Sequence, residues 1–307
     1  MNRSEPSTTP PRRKALISTD AANEADDQFA VAHALLSPVL EVRGLLPAHF
    51  GRNGSRAASR AEVDRLCDLM SVGDSIAIAD GADGALPDTQ TPRSSAASQL
   101  IIDEAHSDER RLCIAVLGPL TDVASALLED PSLVATDPLV VWVGGPPYEG
   151  LAGYSPEFNL VNDVPAAEVV LASGVEVWQI PMPVYTMVGV GHAELRERLS
   201  GTSALGDYLV DQLIEFNETV SYGPLDFRSL GDSPAIGALL NPLGARWSLR
   251  PPPRFTADAQ IDGVLDEHRR IRVCEGVDTR WLIEDMFAKL RAWGDAESSL
   301  TLDGSRL

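Results

Sequence analysis

Short apolar runs alternate with helix-like stretches over most of the chain. The predicted strands cover residues 15–18, 41–46, 75–79, 112–117, 139–143 and 175–180. The predicted helices between them cover residues 27–36, 61–70, 96–105, 121–128 and 165–172. Strands that are apolar throughout and alternate with helices are typical of a parallel sheet covered on both faces. We therefore expect an α/β fold, built as a single domain with a mostly parallel central sheet and helices on both faces.

The last third of the chain has a different pattern, which predicts a small antiparallel C-terminal addition. Helices are expected over residues 203–219 and 234–240, and strands over 246–256 and 270–274. Asp278 is expected to begin a further helix that runs to about Trp293 and stops at Gly294. We place the domain itself at residues 14–294, between a flexible N-terminal arm (1–13) and a C-terminal tail (295–307).

Composition narrows the possible partners and the compartment. The 307 residues include 25 Lys and Arg against 45 Asp and Glu, a net charge of −20, and so acidic a chain is repelled by nucleic-acid phosphates. No apolar run is long enough to cross a bilayer, and the Pro-, Ser- and Thr-rich start does not resemble a secretory signal. Cys67, Cys113 and Cys274 are far apart and have no metal-ligand spacing. We expect a cytoplasmic protein with no nucleic-acid or membrane partner.

Carboxylates are concentrated directly after the first predicted strand. Asp20, Glu24, Asp26 and Asp27 fall within eight residues, at a strand-to-helix turn. Capping the following helix explains one of them, but not four. Carboxylates held this close repel one another unless they are protonated or bind a cation, and oxygen ligands without His or Cys suit Ca²⁺ or Mg²⁺. Because ligands bind at the carboxyl ends of the strands in an open parallel sheet, we expect a metal site there.

Four motifs in a fixed order carry a family resemblance. They are S-T-D-A-A-N-E-A-D-D-Q at 18–28, L-G-P-L-T-D-V-A at 117–124, E-F-N-L-V-N-D-V-P-A-A at 157–167 and G-D-S-P-A at 231–235. The chain resembles the nucleoside hydrolases of the inosine–uridine preferring type, whose signatures are D-T-D-P-G-x-D-D, G-P-L-T-N-x-A, E-F-N-x-x-x-D-P-x-A-A and H-D-P-x-A. It is still more similar to a subgroup with a longer N-E-x-D-D-Q loop.

The resemblance implies a parallel-sheet α/β fold, one bound Ca²⁺, and hydrolysis of the N-glycosidic bond of ribonucleosides to ribose and free base. It also implies a homodimer or homotetramer. Carried over by position, the calcium ligands are Asp20, Asp27, the backbone carbonyl of Leu117, and Asp232. Asp20 is also implied as the base that deprotonates the attacking water. The implied substrate-binding residues are Asp26 for a ribose hydroxyl and Glu157 and Asn159 for the far side of the sugar, including the 5′-hydroxyl.

The chain departs from the family pattern at four places. Ser18 replaces the first Asp of the signature, and the acidic loop is two residues longer. Leu151 stands where many members have a ribose-binding Asn. Gly231 replaces a His that is a proposed leaving-group acid in part of the family.

Several residues are candidates for the roles that these departures leave open. His49 and Tyr222 are candidate substitutes for the missing acid. The loop aromatics that could line a base pocket are Tyr148, Tyr154, Tyr185 and Phe227. Trp142 and Trp178 are expected in the core instead.

Two other functions remain open at this level. The departures at Leu151 and Gly231 are also compatible with a non-catalytic metal- or ribose-binding protein of the same fold. A Mg²⁺-dependent phosphatase shares the acidic loop, but the motifs contain no Lys or Arg fork for a phosphate. A neutral nucleoside is therefore the expected small-molecule partner.

Overall fold

The central element of the fold is a sheet of eight strands, seen in a computed structural model that describes residues 12–73, 75–149, 156–221 and 224–304. Its strands in spatial order are β3 (Ala77–Ile78), β2 (Leu40–Pro47), β1 (Arg13–Thr19), β4 (Leu112–Val116), β5 (Leu139–Val143), β6 (Glu176–Ile180), β12 (Ile271–Val277) and β9 (Ala245–Arg250). Each neighbouring pair is parallel except β12 and β9, which are antiparallel. The predicted α/β class and mostly parallel sheet are confirmed.

Two short antiparallel pairs lie outside the main sheet. They are β7 (Gly189–Gly191) with β8 (Phe227–Ser229), and β10 (Pro253–Phe255) with β11 (Ile261–Val264). The predicted strand over 246–256 is thus two strands, β9 and β10, separated at Pro251 and Pro252. Proline has no amide hydrogen for a ladder, so the break in pairing at these residues follows from their chemistry. The small antiparallel addition near the C-terminus is confirmed.

Helices cover both faces of the sheet. Their bounds are α1 (Asp27–Leu35), α2 (Ser55–Leu69), α3 (Ala96–Ser107), α4 (Thr121–Glu129), α5 (Phe158–Asn162), α6 (Val164–Ala172), α7 (Met182–Tyr185), α8 (His192–Leu199), α9 (Ala204–Thr219), α10 (Ser233–Leu240) and α11 (Thr279–Gly304). On one face α1 packs against α10 and α11, and on the other α4 packs against α3 and α6. The sequence patterns did not predict α5, α7 or α8, which are short or mostly polar.

Successive residues of the central strands belong to two separate hydrophobic clusters. Leu16 packs in the cluster beneath α3, α4 and α6, whereas Ile17 packs in the cluster beneath α1, α10 and α11. Because side chains alternate across a strand, both faces must be apolar, which explains the unbroken apolar runs. The fully buried Trp142 and the nearly buried Trp178 are core residues, as predicted.

The three cysteines are buried and unbridged. Within the described ranges, no helix combines the length and the apolar character needed to cross a membrane.

The C-terminal helix corrects one prediction. Gly294 does not stop α11, which continues to Gly304. A Cβ atom at Gly294 would lie 2.3 Å from the backbone oxygen of Thr202, in the turn between α8 and α9. Glycine is present because α11 approaches that turn closely, not because the helix ends there. The domain bounds at residues 14 and 294 stay a prediction.

We expect Gly294→Ala to destabilise the protein by about 1–3 kcal/mol, because the methyl group meets an immobile backbone carbonyl. In an open helix the same change is usually stabilising by about 1 kcal/mol. Urea unfolding measures the difference. Gly84→Ala is the control, since nothing lies within 4 Å of a Cβ there, and it should change stability by less than about 0.5 kcal/mol. A more stable Gly294→Ala protein would contradict the close approach.

Candidate functional site

One cavity opens at the carboxyl ends of the central strands. Asp20 directly follows β1, Leu117 follows β4, α5 lies beyond β5, and α7 lies beyond β6. Parallel strands bring their carboxyl ends to the same edge, so residues far apart in sequence meet there. The described residues that line the cavity are Asp20, Asn23, Glu24, Asp26, Asp27, Leu117, Val143, Glu157, Phe158, Asn159, Tyr185, Gly231 and Asp232.

The acidic loop between β1 and α1 is held by side chains that bind its backbone. The amide nitrogen of Gln28 donates to the carbonyl of Ala21 at 2.7 Å, and that of Gln212 donates to the carbonyl of Ala25 at 2.8 Å. Asp26 is the N-cap residue of α1, yet its side chain makes no capping hydrogen bond. Its carboxylate instead accepts from the backbone amide of Asp232 at 3.3 Å. Helix capping therefore does not explain the Asp26 side chain.

Three carboxylates converge in the cavity with a geometry suited to a metal ion. One oxygen from each of Asp26, Asp27 and Asp232 lies within 4.8 Å of the other two. Two of the three carboxylates predicted as ligands, Asp27 and Asp232, belong to this trio. Its third member is Asp26, which was predicted to hold a ribose hydroxyl, whereas Asp20 lines the same cavity outside the trio. Asp232 is the N-cap of α10 and, like Asp26, makes no side-chain capping bond.

Asp20 lies in the same cavity and has an unsatisfied oxygen. It is 2% exposed, and among the described residues its Oδ2 atom has no hydrogen-bond partner. A Cβ on Gly118 would lie 2.7 Å from its Oδ1 atom, so the glycine of the G-P-L-T motif leaves room for this carboxylate. A buried, unpartnered carboxylate oxygen is costly unless a proton or a cation compensates it.

Burial and mutual repulsion raise the pKa of every Asp in this group. Burial is the largest cause for each; the charges of Asp27 and Asp26 add to it for Asp20 and Asp232, raising both pKa values well above the usual range. The pKa of Asp26 rises to about 8, partly opposed by Arg228. The pKa of Asp27 rises only to about 6 because Thr19 donates a hydrogen bond to it. These carboxylates cannot all be ionised together without a compensating cation.

Glu157 and Asn159 also line the cavity. Glu157 caps α5, and its carboxylate accepts from the amides of Gly145, Asn159 and Leu160 at 2.8–3.1 Å. The side-chain amide of Asn159 donates to the backbone carbonyl of Leu117 at 2.6 Å. The structure therefore brings the predicted sugar-binding residues to the same cavity as the predicted metal ligands.

The structure does not bring His49 to the cavity. His49 is fully buried, and it is hydrogen-bonded through Nε2 to Thr121 at 2.8 Å, away from the described lining. The amide of Gly51 donates to its other ring nitrogen at 3.3 Å. Burial lowers the pKa of His49 to about 4, so the ring is neutral at pH 7 and has no acidic proton to give. The geometry does not support His49 as a leaving-group acid.

Of the aromatic candidates that the structure describes, one lines the cavity and two lie outside the described lining. Tyr185 lines the cavity and donates from its hydroxyl to Glu157 at 3.0 Å. Tyr148 donates instead to Gln179 at 2.7 Å and stacks beneath Arg250, and Phe227 is 46% exposed. Tyr222, Tyr154 and Leu151 lie outside the described residues.

The carboxylate of Glu24 has a cationic partner, Arg228, that no sequence motif marks as a site residue. Arg228, on β8, forms an ion pair with the Glu24 carboxylate at the cavity wall. Its guanidinium also donates to Asn217 at 3.2 Å and lies 4.4 Å from the centre of the Phe216 ring. Arg228 and Glu24 are 204 residues apart, and no local pattern signals such a pair.

Comparisons with known proteins match this chain to one family. Residues 15–284 match the family model described as inosine-uridine preferring nucleoside hydrolase. A probable uridine nucleosidase 2 of Oryza sativa subsp. japonica is 26% identical over 259 residues, covering 76% of this chain and 75% of that protein. The pyrimidine-specific ribonucleoside hydrolase RihA of Citrobacter koseri is 29% identical over 213 residues, covering 62% and 67%.

Solved structures share the fold at lower identity. A purine-preferring ribonucleoside hydrolase from Gardnerella vaginalis superposes with a TM-score of 0.78 at 18% identity, covering 92% of this chain and 99% of that one. The plant nucleoside hydrolase PpNRh1 gives a TM-score of 0.76 at 19% identity, covering 92% and 100%. The family match spans most of the domain and includes each strand-end carboxylate. The chain belongs to the inosine-uridine preferring nucleoside hydrolase family, whose members are enzymes that cleave N-glycosidic bonds.

Proposed function

We propose that this protein is a Ca²⁺-dependent hydrolase that cleaves the N-glycosidic bond of ribonucleosides, or of a related N-riboside, to ribose and free base. The observation that carries the proposal is the convergence of Asp20, Asp27 and Asp232 in one cavity, although they follow different strands. We also infer a cytoplasmic homodimer or homotetramer of the long-loop N-E-x-D-D-Q subgroup. The subgroup and the oligomeric state rest on the resemblance of the sequence motifs, and the compartment rests on the three unbridged cysteines.

The residues at the cavity fit a hard divalent cation. The unpartnered Oδ2 of Asp20 and the clustered oxygens of Asp26, Asp27 and Asp232 supply oxygen donors without nitrogen or sulfur. Ca²⁺ accepts six to eight such ligands in flexible geometry, which suits a crowded carboxylate site better than the strict octahedron of Mg²⁺. We propose Asp20, Asp27, Asp232 and the carbonyl of Leu117 as ligands. When bound, the cation would neutralise these carboxylates and anchor the ribose diol.

The chain's own residues account for the remaining chemistry. We propose that Asp20 accepts the proton of the attacking water, because Asp20 lines the cavity and its Oδ2 has no hydrogen-bond partner among the described residues. Departure of the base leaves positive charge on the sugar, and surrounding carboxylates stabilise that charge. Asp26 binds a ribose hydroxyl, while Glu157 and Asn159 hold the 5′ side.

A non-catalytic ribose-binding protein is the second candidate. Gly231 favours it, because no side chain at that position can protonate a departing base. The two functions differ in a single measurable outcome: both bind nucleoside, but only the hydrolase releases ribose.

We expect free ribose when the protein is incubated with calcium and inosine, uridine, adenosine or cytidine. Asp20→Asn should lower kcat at least about hundredfold, because the proton acceptor is lost while the side-chain shape is kept. Asp122→Asn is the matched control, since Asp122 is also a 2%-exposed carboxylate but lies outside the described lining. Nucleoside binding by calorimetry without ribose from any of the four would support the non-catalytic alternative.

We expect Ca²⁺ to raise the midpoint of thermal unfolding, because a ligand that binds only the folded chain stabilises it. At a hundredfold excess over Kd the gain is about 2.7 kcal/mol. Asp27→Asn and Asp232→Asn should each remove most of the shift, whereas Asp122→Asn should retain it. A calcium shift that survives both substitutions would place the ion elsewhere.

We expect the chelator-treated protein to lose stability as the pH rises. The pKa of Asp26 is raised to about 8 in the folded protein, so folding favours the protonated form. That contribution is present at low pH and lost as the pH rises through about 8. Between about pH 4, near the pKa of an unfolded Asp, and about pH 8 the free energy of unfolding should fall, by up to about 1.4 kcal/mol per pH unit for one proton, and above about pH 8 this contribution should be level. Saturating calcium should flatten the profile. Asp26→Asn should only make the fall shallower, because the pKa values of Asp20, Asp27 and Asp232 are also raised. A rising profile would contradict the assignment.

A further inference from the structure

Tyr185 and Gly231 are neighbours in the cavity wall, and the Tyr185 ring fills space that a side chain at position 231 would need. A Cβ atom at Gly231 would lie 3.0 Å from Cδ2 and 3.7 Å from Cε2 of the Tyr185 ring. It would also lie 3.2 Å from Oδ2 of Asp26. The first of these distances is tighter than ordinary van der Waals contact. A side chain at position 231 and the Tyr185 ring therefore compete for the same space.

The backbone fixes this pairing. The hydroxyl of Ser229 donates to the carbonyl of Tyr185 at 2.9 Å, and the amide of Leu230 donates to the carbonyl of Val188 at 2.7 Å. The segment after α7 is thus bound to the segment just before Gly231. These bonds fix the backbone on which the ring is carried, and the hydrogen bond from the Tyr185 hydroxyl to Glu157 holds the ring itself.

The phenol hydroxyl of Tyr185 is bonded to Glu157, which also lines the cavity. It donates to Oε1 of Glu157 at 3.0 Å, and Oε2 of the same carboxylate accepts from the amides of Gly145 and Leu160. The Tyr185 side chain therefore reaches from position 231 to the proposed 5′ side of the sugar. A hydroxyl that already donates to a carboxylate orients that carboxylate and is a poor source of protons for a leaving group.

We propose that Tyr185 replaces a side chain at position 231 as the wall of the cavity beside the departing base, and that it sets substrate selectivity while positioning Glu157. This inference rests on the proposed function. It assigns Tyr185 to contact and orientation, not to protonation of the base. The enzyme then favours N-ribosides whose base leaves without a proton from this wall.

A double-mutant cycle tests the shared space without any assay of activity. Gly231→His should destabilise the protein in urea unfolding. Tyr185→Ala should leave a gap, and the Tyr185→Ala/Gly231→His protein should recover stability relative to the sum of the two single changes. Additive effects would show that the ring and residue 231 do not compete, and would overturn the proposal whether or not the protein is a hydrolase.

Kinetics test the role of the ring and its hydroxyl. Tyr185→Phe should lower kcat/KM about ten- to hundredfold, because Glu157 loses a charge-assisted hydrogen bond. The loss should be equal for a nucleoside and for a riboside with a nitrophenolate leaving group, which needs no proton. Tyr185→Ala should in addition change the ratio of kcat/KM for uridine and inosine at least about threefold. Tyr148→Phe is the matched control, because Tyr148 also donates to a buried side chain but lies outside the described lining.

Each result of the kinetic experiment either supports the proposal or overturns it. A loss of kcat/KM seen only with the nucleoside would identify Tyr185 as a proton donor and overturn the proposal. An unchanged kcat/KM together with an unchanged substrate ratio would also overturn it. If the wild-type protein releases no ribose from any substrate, the proposed function fails, and calorimetric binding of inosine to wild type and Tyr185→Ala takes the place of kinetics. Equal affinity of the two proteins would then overturn the contact.

Discussion

The arrangement of the site depends on one unfavourable interaction, the mutual repulsion of buried carboxylates at one edge of the sheet. Asp20, Asp27 and Asp232 are each at least 95% buried, beside Asp26. Charge repulsion opposes their proximity, so the packing of helices on both faces of the sheet must hold them together. The amides of Gln28 and Gln212 fix the loop that carries two of them. Bringing these carboxylates together raises the electrostatic free energy of the folded protein, and a bound proton or cation lowers it again.

The sequence was sufficient for the parts of the structure that follow from periodicity and strand order. Apolar runs such as 112–117 predicted buried strands because both of their faces are covered. Once the strands are parallel, Asp20 and Leu117 must lie at the same edge, since each directly follows its strand. The convergence of Asp232 is less direct, because the short β8 precedes it outside the main sheet, and the family motif was needed to assign it.

The rest of the site could not be predicted from the sequence, because it depends on side-chain orientations that the hydrophobic pattern and the motifs do not encode. Asp26 joins the carboxylate cluster because its side chain turns away from the helix that it precedes. His49 is a candidate acid on the sequence alone, but the turn after β2 buries it against Thr121. Gly294 has the sequence pattern of a helix stop, and only the contact with the Thr202 carbonyl reveals why it is glycine. Long-range packing decides each of these cases.

The acidic loop allows two hydrolytic functions, cleavage of a nucleoside and cleavage of a phosphate ester. The charge of the cavity favours the first. Among the described lining residues, the titratable groups are six carboxylic acids and one phenol. The nearby guanidinium of Arg228 is already engaged by Glu24 and Asn217. A phosphate ester that entered this cavity would be repelled by the carboxylates, and no Lys or Arg among the described lining residues would offset that repulsion. One bound divalent ion would still leave the lining with a net negative charge. A neutral riboside meets no such penalty, and the positive charge that develops on its sugar is stabilised by the same carboxylates.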